Sequence, residues 1–409
     1  MRYVLSGCNV VDVENGCRVL PLRDIYISGG KIERIVPHGD LSAGYKAIVA
    51  DGLYAVPGLI NLHVHLFGTG KPSKALGGGK AQQRLLRFIR TGVGKRILGK
   101  MVESSAKNQL RSGVTTLRAV GDLFGSDLAL KRKVQKGKGG AAGLRMFVSG
   151  MAITVPGGHG AGTFARTAET EEGLVRLVDD AVQSGADLIK ICITGGVMDA
   201  KKRGEPGEVK MTLEQVRAVC GRAHALGKKV AAHVQSECGA QIAARGGAQV
   251  VTCSPALPCA RLPHEVTKLN ELSSFNSEVV MRGMVDGAKQ AMQTGIKVGM
   301  GTDSSCPFCT QYNMWREVLW FEKMVGVSAA QALRTATLGN AEILGIDAVT
   351  GSLREGKSAD ILLLERDPLD DLSALRDISV MFAQGRRIRP HPKRIPAIEA
   401  ALDKLTEEL

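Results

Sequence analysis

The sequence predicts an α/β chain whose middle is a (β/α)8, TIM-like barrel. Three observations predict it. Strand-like apolar runs alternate with helical stretches from residue 55 to residue 349, the pattern of a parallel α/β fold. Some of those runs are apolar nearly throughout, as expected of strands covered on both faces. The first run ends in two histidines two apart, which suits a barrel mouth, because active sites in barrels lie at the C-terminal ends of strands. An open, doubly wound sheet is the alternative.

Taken in order, the chain opens with short strands. Tyr3-Val-Leu and Cys8-Asn-Val-Val-Asp-Val are apolar-rich, and Asp24-Ile-Tyr-Ile-Ser meets a Gly-Gly turn followed by the alternating Lys31-Ile-Glu-Arg-Ile-Val. The barrel is counted from Ala55. Its strands are the run ending at His65, then Gly113-Val-Thr-Thr-Leu-Arg, Leu144-Arg-Met-Phe-Val-Ser, and Ala186-Asp-Leu-Ile-Lys-Ile-Cys-Ile-Thr194. Lys229-Val-Ala-Ala-His233, Gln249-Val-Val-Thr-Cys253 and Ile296-Lys-Val-Gly-Met-Gly complete seven of the eight. Residues 254–276 hold Pro255, Pro258 and Pro263 and no clear apolar run, so strand seven is not placed. Between strands, Leu213 to Leu226 reads as a helix with Thr212 as N-cap and Gly227 as its stop. Near the end, Gly351-Ser-Leu-Arg-Glu-Gly-Lys-Ser-Ala-Asp-Ile-Leu-Leu-Leu reads as a turn and a buried strand, and residues 391–409 are expected to form a helical tail.

Bulk properties exclude several classes. The 409 residues suffice for one large domain and a small one. No apolar run reaches the ~18 residues of a membrane span, so no membrane partner is expected. Met1-Arg-Tyr-Val-Leu-Ser has no long apolar core or small-residue cleavage site, so no signal peptide is expected. The nine scattered cysteines read as reduced thiols and a cytoplasmic location. The formal charge is +14, with 11 Lys/Arg against the single acid Glu103 between Lys71 and Arg111. A second cluster holds Lys131, Arg132, Lys133, Lys136 and Lys138. Apart from Phe88 these clusters lack stacking aromatics, so they read as solvated faces and not as a nucleic-acid surface; a positive field drawing anionic substrates is the other reading.

The chemistry starts at Val56-Pro-Gly-Leu-Ile-Asn-Leu-His63-Val-His65. Residues i and i+2 of a strand point the same way, so both imidazoles can aim at one point, and neutral imidazole is a good zinc ligand. This stretch resembles the entry motif of the amidohydrolase superfamily, Pro-Gly-Leu-Ile-Asp-x-His-x-His, with Asn61 in place of the usual Asp. The resemblance extends over nearly the whole chain and is nearest the prolidase-like and imidazolonepropionase-like branch. It implies a small β-sandwich built from residues 1–54 and 350–390, with the barrel, residues 55–349, inserted between them.

Lys190 sits between Ile189 and Ile191. Burial lowers a lysine pKa, making a neutral amine accessible, and such an amine can take up CO2 as a carbamate. The resemblance implies a carboxylated lysine bridging two metals; an ammonium reaching solvent at the rim is the plainer reading. His233, ending strand five, stands where the family places a ligand, and Asp303 in Gly-Met-Gly-Thr-Asp stands where it places a ligand that also shuttles protons. His159, in Val155-Pro-Gly-Gly-His-Gly, is either a substrate-contacting histidine, as the resemblance implies, or a loop histidine bonded to backbone. The branch usually has a histidine ending strand six, and here Cys253 falls at that position. It is either a thiolate ligand or a packed cysteine beside a weak second site. Cys306-Pro-Phe-Cys309 reads as loop packing near the pocket.

The expected activity is a metal-dependent hydrolase that cleaves a C–N bond of an amide, peptide, carbamate, urea or cyclic amide with metal-activated hydroxide. It would use one or two zinc ions per chain and a small-molecule substrate, in a homo-oligomer. A mononuclear deaminase is the alternative, disfavoured because Glu237 stands one position late for His-x-x-Glu. A metal-free, inactive scaffold is the alternative of another class.

Overall fold

The computed structural model describes residues 2–72, 79–246 and 256–409. Strands from both chain ends share one eight-stranded sheet. The N-terminal members are β1 (Tyr3–Asp12), β2 (Arg18–Ser28), β3 (Lys31–Pro37), β4 (Lys46–Val49) and β5 (Tyr54–Pro57). A second group follows in the middle of the chain: β6 (Leu59–Val64), β7 (Val114–Ala119), β8 (Arg145–Val148), β9 (Ala152–Thr154), β10 (Ala165–Thr167), β11 (Leu188–Cys192) and β12 (Lys229–His233). The C-terminal strands are β13 (Ile361–Leu364), β14 (Ile378–Ala383) and β15 (Arg386–Ile388). The large sheet runs β15-β14-β13-β5-β1-β2-β3, with β4 beside β1. The two chain ends therefore meet as one hydrogen-bonded sheet.

The middle strands pair in parallel as β6-β7-β8 and β10-β9-β11-β12. Every residue of β6, β7 and β11 is buried, and β6 and β11 are accordingly apolar with few interruptions, while β7 also buries Thr115, Thr116 and Arg118. Helices lie between them in sequence, among them Leu213–Ala225, opened by the expected N-cap Thr212, which forms a capping box with Gln215, and stopped at Gly227. The basic segment forms helices Gly79–Arg90 and Gly92–Arg111. The second buries Leu98, Val102, Ala106 and Leu110, one every four residues, and leaves Lys95, Arg96 and Lys100 exposed. The C-terminal residues include helix Pro396–Glu407. No described helix is long and apolar enough to cross a membrane.

Two strand expectations need correction. The first barrel strand is two strands, split at Gly58. The Gly58 N–H bonds the Asp360 carbonyl beside the large sheet, whereas the Leu59 N–H bonds Gly113, at the start of the parallel set. A Cβ on Gly58 would lie 2.3 Å from the Thr115 side chain, so the crossing needs glycine. The expected strand eight, Ile296–Gly301, is extended chain without a regular ladder. It docks on β6 through Leu62 N–H to Met300 O at 3.1 Å, and through Asn340, whose Nδ2 donates to Ile60 O and Met300 O. A side chain thus makes bonds that a neighbouring strand would otherwise make. Strand six lies outside the described residues, and residues 256–276 carry helices Ala256–Arg261 and His264–Thr267 and the start of Glu271–Gln293 in place of a strand seven. The described strands therefore do not close into a ring.

Gly301 is the tightest point of this docking. A Cβ there would come within 2.5 Å of the His63 backbone nitrogen. Gly301→Ala must push the segment off β6. A loss of ~1–3 kcal/mol is expected for such overpacking, read as a lower denaturant midpoint; an unchanged midpoint would show that the segment is not held against His63.

Candidate metal centre

β6 carries His63, and His65 follows one residue beyond its end. Both are buried, at 7% exposed. Burial holds the His63 pKa well below its ordinary value, with Lys190, His65 and Arg118 adding to the effect and Asp303 opposing it. The segment docked on β6 brings in Asp303. Its N–H bonds the His63 carbonyl at 2.8 Å, and its backbone sits at φ +46°, a left-handed conformation that aspartate tolerates better than most residues. Burial by itself would raise the Asp303 pKa, but His63, His65 and Lys190 outweigh it and keep the carboxyl ionised.

The three side chains converge. Asp303 Oδ1 lies 3.3 Å from His63 Nε2 and 3.0 Å from His65 Nε2. One ligand atom from each of the three lies within 4.8 Å of the others. His65 Nδ1 is 2.5 Å from the Gly121 carbonyl oxygen, an acceptor, so Nδ1 carries the proton. Nε2 then faces the Asp303 carboxylate, and the donor set of two imidazoles and one carboxylate suits a divalent ion such as zinc.

A polar lattice behind the triad holds it still. The His65 carbonyl accepts from Ser304 Oγ, Ser305 Oγ and Gln311 Nε2 at 3.2, 2.6 and 2.7 Å. Asn61 Oδ1 accepts from the His63 and Thr302 backbones, while its Nδ2 donates to Thr302 Oγ1 and Gln109 Oε1. Gln109 Nε2 in turn donates to Gln311 Oε1 at 3.0 Å. This explains Asn61: an aspartate there would leave Gln109 Oε1 without this donor. Arg118 is buried, its pKa pulled down to about 10 by burial, and its Nε donates to the Leu62 carbonyl.

Lys190, 4% exposed in β11, has its pKa lowered by burial, and Asp303 and Arg118 lie within its electrostatic reach. His233 ends β12, and its Nε2 bonds the Gly195 carbonyl at 2.8 Å, leaving Nδ1 as the nitrogen with a lone pair. Burial, then His159 and Lys190, push its pKa well below the ordinary value. His159 stacks on His233 with ring centroids 4.2 Å apart. It is not the backbone-bonded loop histidine of the plainer reading: its Nδ1 meets Asp199 Oδ2, which also accepts the Gly160 N–H at 3.0 Å. A cavity of about 180 Å³ borders this pair, lined by His159, Asp199, Gly195, Lys201 and Lys210 among others. Cys253 lies outside the described residues. Cys309 is buried and Cys306 half-buried, and burial keeps both as thiols.

The family model "Amidohydrolase family" matches residues 54–388. The chain belongs to the amidohydrolase family. Amidohydrolases act on carbon–nitrogen bonds and generally use divalent metals, and His63, His65 and Asp303 form a potential metal-binding triad in this one. The structure of a candidate prolidase from Bifidobacterium longum is 32% identical, with a TM-score of 0.85 over 99% of this chain and 98% of that one. Aspergillus niger ochratoxinase is 26% identical over 249 residues, 54% of this chain and 49% of that protein. Its crystal structure superposes with a TM-score of 0.75 at 18% identity over 94% and 95% of the two chains, which is a likeness of fold. The chain spans about half the length of the curated relatives it matches.

The structure brings some of the expected site residues together. His63, His65 and Asp303 meet, Lys190 is close in electrostatic terms, and His233 stands with His159 outside the triad. Sequence reading missed Asp199, Gln109 and Gln311. Asp199 had no local signal, lying 40 residues from His159 in a short helical turn, and the two glutamines meet only through the fold.

Proposed function

We propose that this amidohydrolase hydrolyses a small-molecule C–N bond, of amide, peptide, carbamate, urea or cyclic-amide type, at a zinc site held by His63, His65 and Asp303. The convergence of two buried imidazoles on an ionised carboxylate carries the reading. Lys190, as its carbamate, and His233 would hold a second ion, with Cys253 as the further donor in question. Bound there, the metal would supply Lewis acidity and a water of lowered pKa.

The chain's own residues do the rest. Lys190, with its pKa depressed, offers the neutral amine that CO2 needs: the amine lone pair attacks carbon, a proton leaves, and a carboxylate results. Asp303 accepts the proton of the attacking water and returns it to the departing nitrogen. His159, oriented by Asp199 through Nδ1, would contact the substrate carbonyl and, as the doubly protonated ring, donate to it from Nε2. Gly157, Gly158 and Gly195 line the adjoining cavity without side chains, leaving room for a substrate beside His159. The eight described cysteines are all free, which supports a reducing, cytoplasmic setting. Exposed Phe88, Val93 and Ile97 support a homo-oligomer that covers them.

The test is turnover of dipeptides, N-acyl amino acids, ureas and carbamates by zinc- and bicarbonate-supplemented protein. Activity lost to a chelator and restored by zinc is expected. Turnover of one class that persists in chelated, metal-free protein would contradict the proposal.

A further inference from the structure

A cavity of about 590 Å³ belongs to another place. It opens between the end of helix Ser126–Gln135, the start of β8 and the β14–β15 hairpin. Its lining includes Lys131, Lys136, Arg145 and Arg386, and no carboxylate residue. Arg145 sits at the first residue of β8 and pairs with Thr116, three residues before the last position of β7. His65 lies past the other end of the parallel β6. The two sites are therefore separated by about the length of these strands, roughly 13 Å at ~3.3 Å per residue.

The charges decide what this cavity suits. Lys131 pairs with Asp187, and Arg145 pairs with Asp360 at 3.0 Å, so two of the four cations are answered by carboxylates behind the wall. Lys136 and Arg386 are exposed and face the cavity from opposite sides, one from the helix end and one from β15. Among the described residues neither has a carboxylate partner. The guanidinium of Arg386 reaches across to Gly137, where an added Cβ would lie 3.3 Å from it. At the helix end, Val134 O and Lys133 O accept from Gly137 N and Lys138 N. Two unanswered positive charges match one dianion. Val134, Leu144 and Met146 supply an apolar wall, and the volume lies in the range of small-ligand sites.

We propose that this cleft binds a small phosphomonoester, whose phosphate carries close to two negative charges at neutral pH, with the phosphate between Lys136 and Arg386 and the organic body against Val134, Leu144 and Met146. A nucleic-acid strand fits worse, since the lining holds no aromatic side chain for base stacking. The bound ligand would tie the β14–β15 hairpin of the large sheet to the part of the chain that carries the metal centre.

The test is calorimetric titration of the zinc-loaded protein with phenyl phosphate, in parallel with Lys136→Glu/Arg386→Glu and Asp303→Asn. Both exchanged cations are exposed, so the double variant is expected to keep the native melting temperature. The expected result is saturable binding at one site per chain, weakened at least tenfold in the double variant and unchanged in Asp303→Asn. The absence of saturable binding, or equal affinity in the double variant, would overturn the proposal. So would loss in Asp303→Asn alone, which would place the anion at the metal centre.

Discussion

Asp303→Asn is expected to leave the fold intact and to lower kcat by about three orders of magnitude or more. Asparagine tolerates the φ of +46° that this position requires, and the backbone N–H that bonds His63 is unchanged. What disappears is a charge and a base. The amide cannot accept a proton, and loss of a positioned acid–base group alone is worth ~10²–10⁴ in rate. The same substitution turns a charged donor of the triad into a neutral one, weakening its hold on a divalent ion, so the rate loss and a lower metal content should appear together. Turnover near the wild-type value, measured beside an unchanged melting temperature, would show Asp303 to be a turn residue only.

Lys190→Ala is expected to abolish activity and to take the metal content from two ions per chain to one. No other ionisable oxygen ligand is available on β11, whose remaining residues are Leu188, Ile189, Ile191 and Cys192. The variant also removes a buried amine, whose neutral form is favoured because burial lowers its pKa. The loss should therefore fall on chemistry more than on folding. Added acetate, a carboxylate small enough to enter the vacated space, should restore part of the rate. A variant that keeps two metals and full turnover would rule out the bridging role, and intact-mass analysis of the active wild type showing no added CO2 would do so independently.

The parts of this fold that were legible in the sequence are those written in local pattern. β6 and β11 are buried on both faces and so read as apolar runs with few interruptions, and Thr212 announces a helix start by the hydrogen bond it offers the first turn. The divided first strand was not legible. Tyr54–Pro57 and Leu59–Val64 form one apolar run, and only the close approach of Thr115 to Gly58 reveals the break. Nor was the loss of regular pairing over 296–301, which depends on Asn340 more than 30 residues later bridging Ile60 and Met300. The site shows the same division. The spacing of His63 and His65 fixes their common direction, whereas Asp199 under His159 and the Asn61–Gln109–Gln311 lattice are brought together only by long-range packing.

The most direct test is anomalous diffraction at the zinc edge from crystals of the active, zinc-loaded protein. A peak is expected at one point bonded to His63 Nε2, His65 Nε2 and Asp303 Oδ1, with metal–nitrogen and metal–oxygen separations of ~2.0–2.2 Å. An active crystal whose zinc lies elsewhere, with these three side chains bonded only to one another, would contradict the account.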